Sequence, residues 1–87
     1  MPRYVVETFV AGGASRECTA SEWRVRSAAA VLRRQGVRVR FDRVIRAPED
    51  ARCAFVVEAA SAREARLTAE LAELERFRIV EAASVRF

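Results

Sequence analysis

The side chains able to do chemistry in this chain are arginines and carboxylates, and they crowd into one stretch. RRQGVRVRFDRVIR, residues 33–46, holds six arginines in fourteen positions. Histidine is absent, and the only cysteines are Cys18 and Cys53, with 34 residues between them. That supply fits neither a four-ligand zinc site nor a CxxC redox pair, so no metal and no cofactor is expected. In a cytoplasmic setting both thiols are expected to be reduced. Cys53 lies in an apolar run and reads as core, whereas Cys18, just ahead of a helix start, has no histidine to serve as its base. Guanidinium and carboxylate chemistry remains: arginines can hold a carboxylate or phosphate bidentately, and a desolvated glutamate can act as a general base. The candidates are Glu7, Arg38, Arg40, Asp42, Arg52 and Glu58, with Phe9 and Val56 as apolar walls. No residue is assigned a catalytic role. The alternative for all of these charges is that they pair with one another across a sheet or a dimer interface and bind nothing.

These residues must be placed by strands and helices, and the chain is punctuated for both. YVVETFV (4–10) reads as a strand closed by AGGAS, and Thr19-Ala-Ser-Glu22 is a capping box. A helix over about 20–35 follows, with Val25, Ala28, Ala29 and Leu32 as its buried stripe and Gly36 as its C-terminal cap. From Val37 the period becomes two: Val37, Val39 and Phe41 alternate with Arg38, Arg40 and Asp42, and the strand runs on to Arg46 before APED. ARCAFVVEA (51–59) is a third strand. Ser61-Ala-Arg-Glu64 is a second capping box, opening a helix lined by Leu67, Leu71 and Leu74 that ends near Glu75; RIVEAASVRF is the fourth strand. Trp23 is expected to be partly buried packing, and Glu70, Glu73 and Glu75 an acidic exposed side.

The order βαββαβ predicts one α+β domain over residues 1–87. It is a ferredoxin-like, four-stranded antiparallel sheet with strands one and three central and both helices on one face. The helix-packed face takes Tyr4, Val6, Thr8, Val10, Val37, Val39, Phe41, Cys53, Phe55, Val57 and Ala59. The opposite face alternates charge with Val5, Phe9, Val44 and Val56, an apolar patch not usually left to water. A chain of 87 residues buries only about 60% of its unfolded surface, so a homodimer closing over this face is expected.

The segments MPRYVVETF, CAFVVEAASAREA and RIVEA resemble a family of small bacterial proteins of unknown function, some members of which are described as nickel-binding. The resemblance implies the same plan and a dimeric α/β barrel made by pairing sheet faces. Metal-binding members use histidine, notably in the second helix, where this chain reads RLTAELAELERF, so no nickel site carries over.

The expectation is therefore a small dimeric α/β-barrel protein that binds a small molecule in a cleft at the sheet and dimer interface. A cofactor-free enzyme of the monooxygenase or cyclase kind is the alternative, by analogy of fold alone. A module resembling RNA-recognition domains is less favoured. Residues 1–46 hold ten arginines against four acids and residues 47–87 six against eight, a basic footprint. Sixteen arginines with no lysine and seventeen alanines with no asparagine nevertheless fit a GC-rich coding sequence. Arg33 and Arg34 also fall where a helix C-terminus favours positive charge. The longest uncharged stretch, Thr8 to Ser15, is eight residues against the roughly 18 a membrane span needs, and the N-terminus is broken by Glu7 as a secretory signal. A cytoplasmic chain without a membrane partner is expected.

Overall fold

Each alternating run becomes a strand of one sheet in the computed structural model, which describes residues 1–9, 15–47 and 52–82. The elements are β1 (Arg3–Phe9), α1 (Ser15–Arg34), β2 (Val39–Ala47), β3 (Arg52–Ala59), α2 (Ala62–Leu71) and β4 (Phe77–Glu81). The sheet order is β2-β3-β1-β4 with every neighbouring pair antiparallel, so β1 and β3 are central, as a ferredoxin-like α+β fold requires. Tyr4, Val6, Phe55 and Val57 on one face pack against Val25, Ala28, Ala29 and Leu32 of α1, the stripe its spacing predicts. No described helix is long and apolar enough to cross a membrane.

α1 starts at Ser15, so the Thr19–Glu22 capping box lies inside the helix rather than at its head. Once a helix is nucleated, each added residue gains a backbone hydrogen bond at little further cost, and the helix grows past an available cap. The box residues take other partners: Thr19 Oγ1 accepts from Arg46 Nη2 at 3.1 Å, and Glu22 accepts from Arg26 Nε at 2.9 Å and Arg46 Nη2 at 3.3 Å. The Ser61 box does cap α2. Ser61 is extended, its hydroxyl oxygen accepts from the Arg63 N–H, and its hydroxyl bonds the Glu64 carboxylate. That bond holds the Glu64 carboxyl below its ordinary range.

α2 ends at Leu71, four residues before the expected Glu75. The Leu74 N–H bonds Ala69 O at 3.2 Å and the Glu73 N–H bonds Glu70 O at 3.0 Å, the Schellman pattern, with Glu73 at φ 58 where glycine is usual. α2 also presents a different face from the one its leucines suggest. Ala65, Thr68 and Ala69 point inward, while Leu67 and Leu71 are exposed and only Leu74 of that stripe is buried. Both stripes satisfy the helical period; the alanines let α2 lie close on the sheet.

β2 carries the main departure in register. Phe41 pairs with Val57 and Arg43 with Val56, leaving Asp42 as an extra residue in a bulge. Beyond it Val44 packs with the helix-side core and Ile45 with the other face, so Val44 is not on the open face as plain alternation would put it. Val37 and Arg38 precede the strand. β4 stops at Glu81, with the Ala82 N–H donating to Arg3 O at 2.8 Å; the rest of the expected fourth strand and Val10 lie outside the described residues.

The two cysteines, expected as separate reduced thiols, form a disulfide with their Cα atoms 5.8 Å apart. Cys53 is core, as expected, but the earlier start of α1 carries Cys18 over β3, and both residues are buried. Sequence distance hid a spatial contact.

Candidate functional site on the open sheet face

Strand register assembles the site in three rows on the face the helices leave open. Arg40, Glu58 and Arg3 lie side by side on β2, β3 and β1. The next row is Arg43, Val56, Val5 and Val80, and the third is Ile45, Ala54, Glu7 and Arg78. Period-two geometry puts all of these on one side of the sheet. Val5, Val56 and Ala82 form its apolar centre, and Val56 is 0% exposed and Val5 9% exposed within the single chain. Of the apolar patch expected to require a partner, Val5 and Val56 are therefore covered within the chain, and Val56 is a buried floor.

The charges around that floor are in different states. Glu7 Oε2 accepts from Arg78 Nη2 at 2.8 Å, so this carboxylate is committed to an ion pair. Asp42, leaning from the bulge, lies 3.6 Å from both Arg3 Nε and Arg43 Nε, and its Oδ2 is enclosed without a hydrogen bond. Glu58 is half-buried between Arg40 and Arg3, yet neither the Glu58 nor the Arg40 side chain makes a hydrogen bond or ion pair among the described residues. A half-buried carboxylate normally finds a donor, because losing water without replacement costs free energy. Arg40 and Glu58 together offer one cation and one acceptor to a small polar molecule.

Of the sequence candidates, the fold brings Glu7, Arg40, Asp42, Val56 and Glu58 to one face. Arg38 stands apart: it precedes β2, is exposed, and its carbonyl accepts from the Ala60 N–H. Phe9 and Arg52 face each other in the β1–β3 register, but their side chains lie outside the described residues. Arg3, Arg43 and Arg78 belong to the constellation although they were not candidates. Arg3 shares the parity of Glu7 and could have been found; Arg43 needed the bulge, and Arg78 the β1–β4 register. On β3 the open face presents Ala54, Val56 and Glu58, with Phe55 fully buried on the helix side, so no aromatic ring of that strand is offered for base stacking.

Comparison with protein-family models, curated proteins and solved structures finds no match to this chain.

Proposed function

We propose that this protein binds a small polar molecule on the open sheet face, and that a second copy paired through the same face closes the site into an α/β-barrel cleft. The observation that carries this reading is the half-buried Glu58, in register with Arg40 and Arg3, whose carboxylate has no hydrogen-bond or ion-pair partner among the described residues. A ligand bearing both an anionic group and a hydrogen-bond donor satisfies Arg40 and Glu58 together. Small size supports the second copy, and an isologous pair presents the same face from both sides. So does the family resemblance of the β1, β3 and β4 segments. Val5 and Val56 are covered within one chain, so the second copy is argued from size and resemblance and not from an uncovered apolar patch.

Native mass spectrometry of the purified protein reads oligomer mass and retained molecules together. The expected result is a dimer carrying a small molecule, with the molecule lost from Glu58→Gln and Arg40→Gln and the fold unchanged by circular dichroism. A bare monomer across micromolar concentrations would overturn the proposal.

A further inference from the structure

A second surface, independent of the sheet face, lies on the opposite side of the molecule. Between α1 and the end of α2 runs an open groove of about 430 Å³, within the range of small-molecule sites. Its floor is made by Ala28 and Ala72, both buried, and their small side chains create the slot. Trp23 forms one wall and Leu71 the other, and both are exposed, at 66% and 48%. Exposed apolar groups that share one concave surface, unlike singly scattered ones, mark a ligand or partner site.

Two charges complete the lining. Arg24 donates to the Ser21 hydroxyl at 3.3 Å, and among the described residues it has no carboxylate partner and Glu73 has neither an ion pair nor a side-chain hydrogen bond. The two line one groove without pairing with each other. Glu73 also occupies the left-handed position at the end of α2 that glycine would fill without strain, and sparsely populated backbone of this kind concentrates at functional sites.

We infer that this groove binds a small zwitterion carrying an apolar group, the class of free aromatic and large aliphatic amino acids. The carboxylate of such a ligand meets Arg24, its ammonium meets Glu73, and its side group lies between Trp23 and Leu71. A simple apolar molecule leaves both charges unused, and an anion or a cation alone leaves one of them unused.

Trp23 is the sole tryptophan, so its indole N–H signal in a nitrogen-15 correlation spectrum reports on the groove directly. The probes are L-phenylalanine, phenylacetate and phenethylammonium. L-Phenylalanine should shift that signal and the Leu71 and Glu73 amides saturably, and each half-probe should bind about threefold weaker or worse, the scale of one partly exposed ion pair. Arg24→Gln should erase the advantage over phenethylammonium, and Glu73→Gln the advantage over phenylacetate. Both changes lie on exposed positions and leave the fold intact. Glu58→Gln should leave groove binding unchanged, so failure of the sheet-face reading is distinguishable from failure here. An indole signal that does not move, three probes that bind alike, or unchanged preferences in both variants would overturn the inference.

Discussion

Reducing the Cys18–Cys53 bond should remove a large share of this protein's stability. The bond closes a loop with a sequence separation of 35, which in the chain-entropy treatment restricts the unfolded chain by about 3.8 kcal/mol. A domain of this size is stable by roughly 5–15 kcal/mol, so the reduced form should be marginal, with a melting temperature lower by roughly 15–30 °C. The assay is urea unfolding followed by circular dichroism, with and without reductant, on protein whose oxidation state is verified by mass. Cys18→Ala with Cys53→Ala is measured alongside, to separate the tether from the packing of two buried sulfurs. Because the tether acts on the unfolded state, the urea slope should also rise on reduction, as a freer chain exposes more surface. If verified reduction moves stability by less than about 1 kcal/mol, the loop-closure argument fails for this chain.

Glu73→Gly should stabilise the protein by about 0.5–1 kcal/mol, the left-handed penalty at φ 58 less the greater flexibility of unfolded glycine, read as a rise in melting temperature; a fall would refute strain relief. Ser61→Ala should lose about 1 kcal/mol by removing the α2 cap. Because the folded-state pKa of Glu64 is depressed, its contribution is complete above the ordinary glutamate range and lost as pH falls through the lowered value. The gap in melting temperature between wild type and Ser61→Ala should therefore narrow on acidification. Val56→Asp should cost about 3–5 kcal/mol by placing an unpaired charge at a fully buried position, seen as unfolding of the single chain at low concentration by circular dichroism rather than loss of a dimer alone.

Much of the fold was legible because period and punctuation agreed. Val25, Ala28, Ala29 and Leu32 are the buried stripe of α1, Ser61 caps α2, and β1 and β3 are central. The misreadings have physical causes. On α2 two stripes share the helical period; hydrophobicity points to Leu67 and Leu71, but close approach to the sheet selects Ala65 and Ala69. Counting by twos along β2 cannot register one extra residue, so plain alternation puts Val44 on the open face while the bulge turns it to the helix side. The cysteine partnership depends on proximity, which separation along the chain does not encode. In the sheet-face site the residue types were readable, but which charges pair was not. Glu7 and Glu58 look alike in sequence; register gives Arg78 to the first, while the second makes no ion pair among the described residues. Trp23, expected as partial packing, is mostly exposed at a groove that α1 shares with Leu71, Ala72 and Glu73, a juxtaposition that spacing within α1 does not encode.

The bulge at Asp42 bears on how the protein resists aggregation. β2 lies at the rim of the sheet, where unpaired backbone can recruit a strand from another molecule. Without Asp42 the segment reads Val39, Arg40, Phe41, Arg43, Val44, Ile45, which alternates without interruption and keeps Phe41 and Val44 facing the helices. Deleting this one residue is therefore compatible with the fold, unlike most deletions inside a strand. What it removes is the local twist and kink that spoil the rim as a template, leaving a straighter strand rich in β-branched and aromatic residues. A chain lacking this aspartate should therefore fold and then associate edge to edge, read as light scattering that rises with protein concentration.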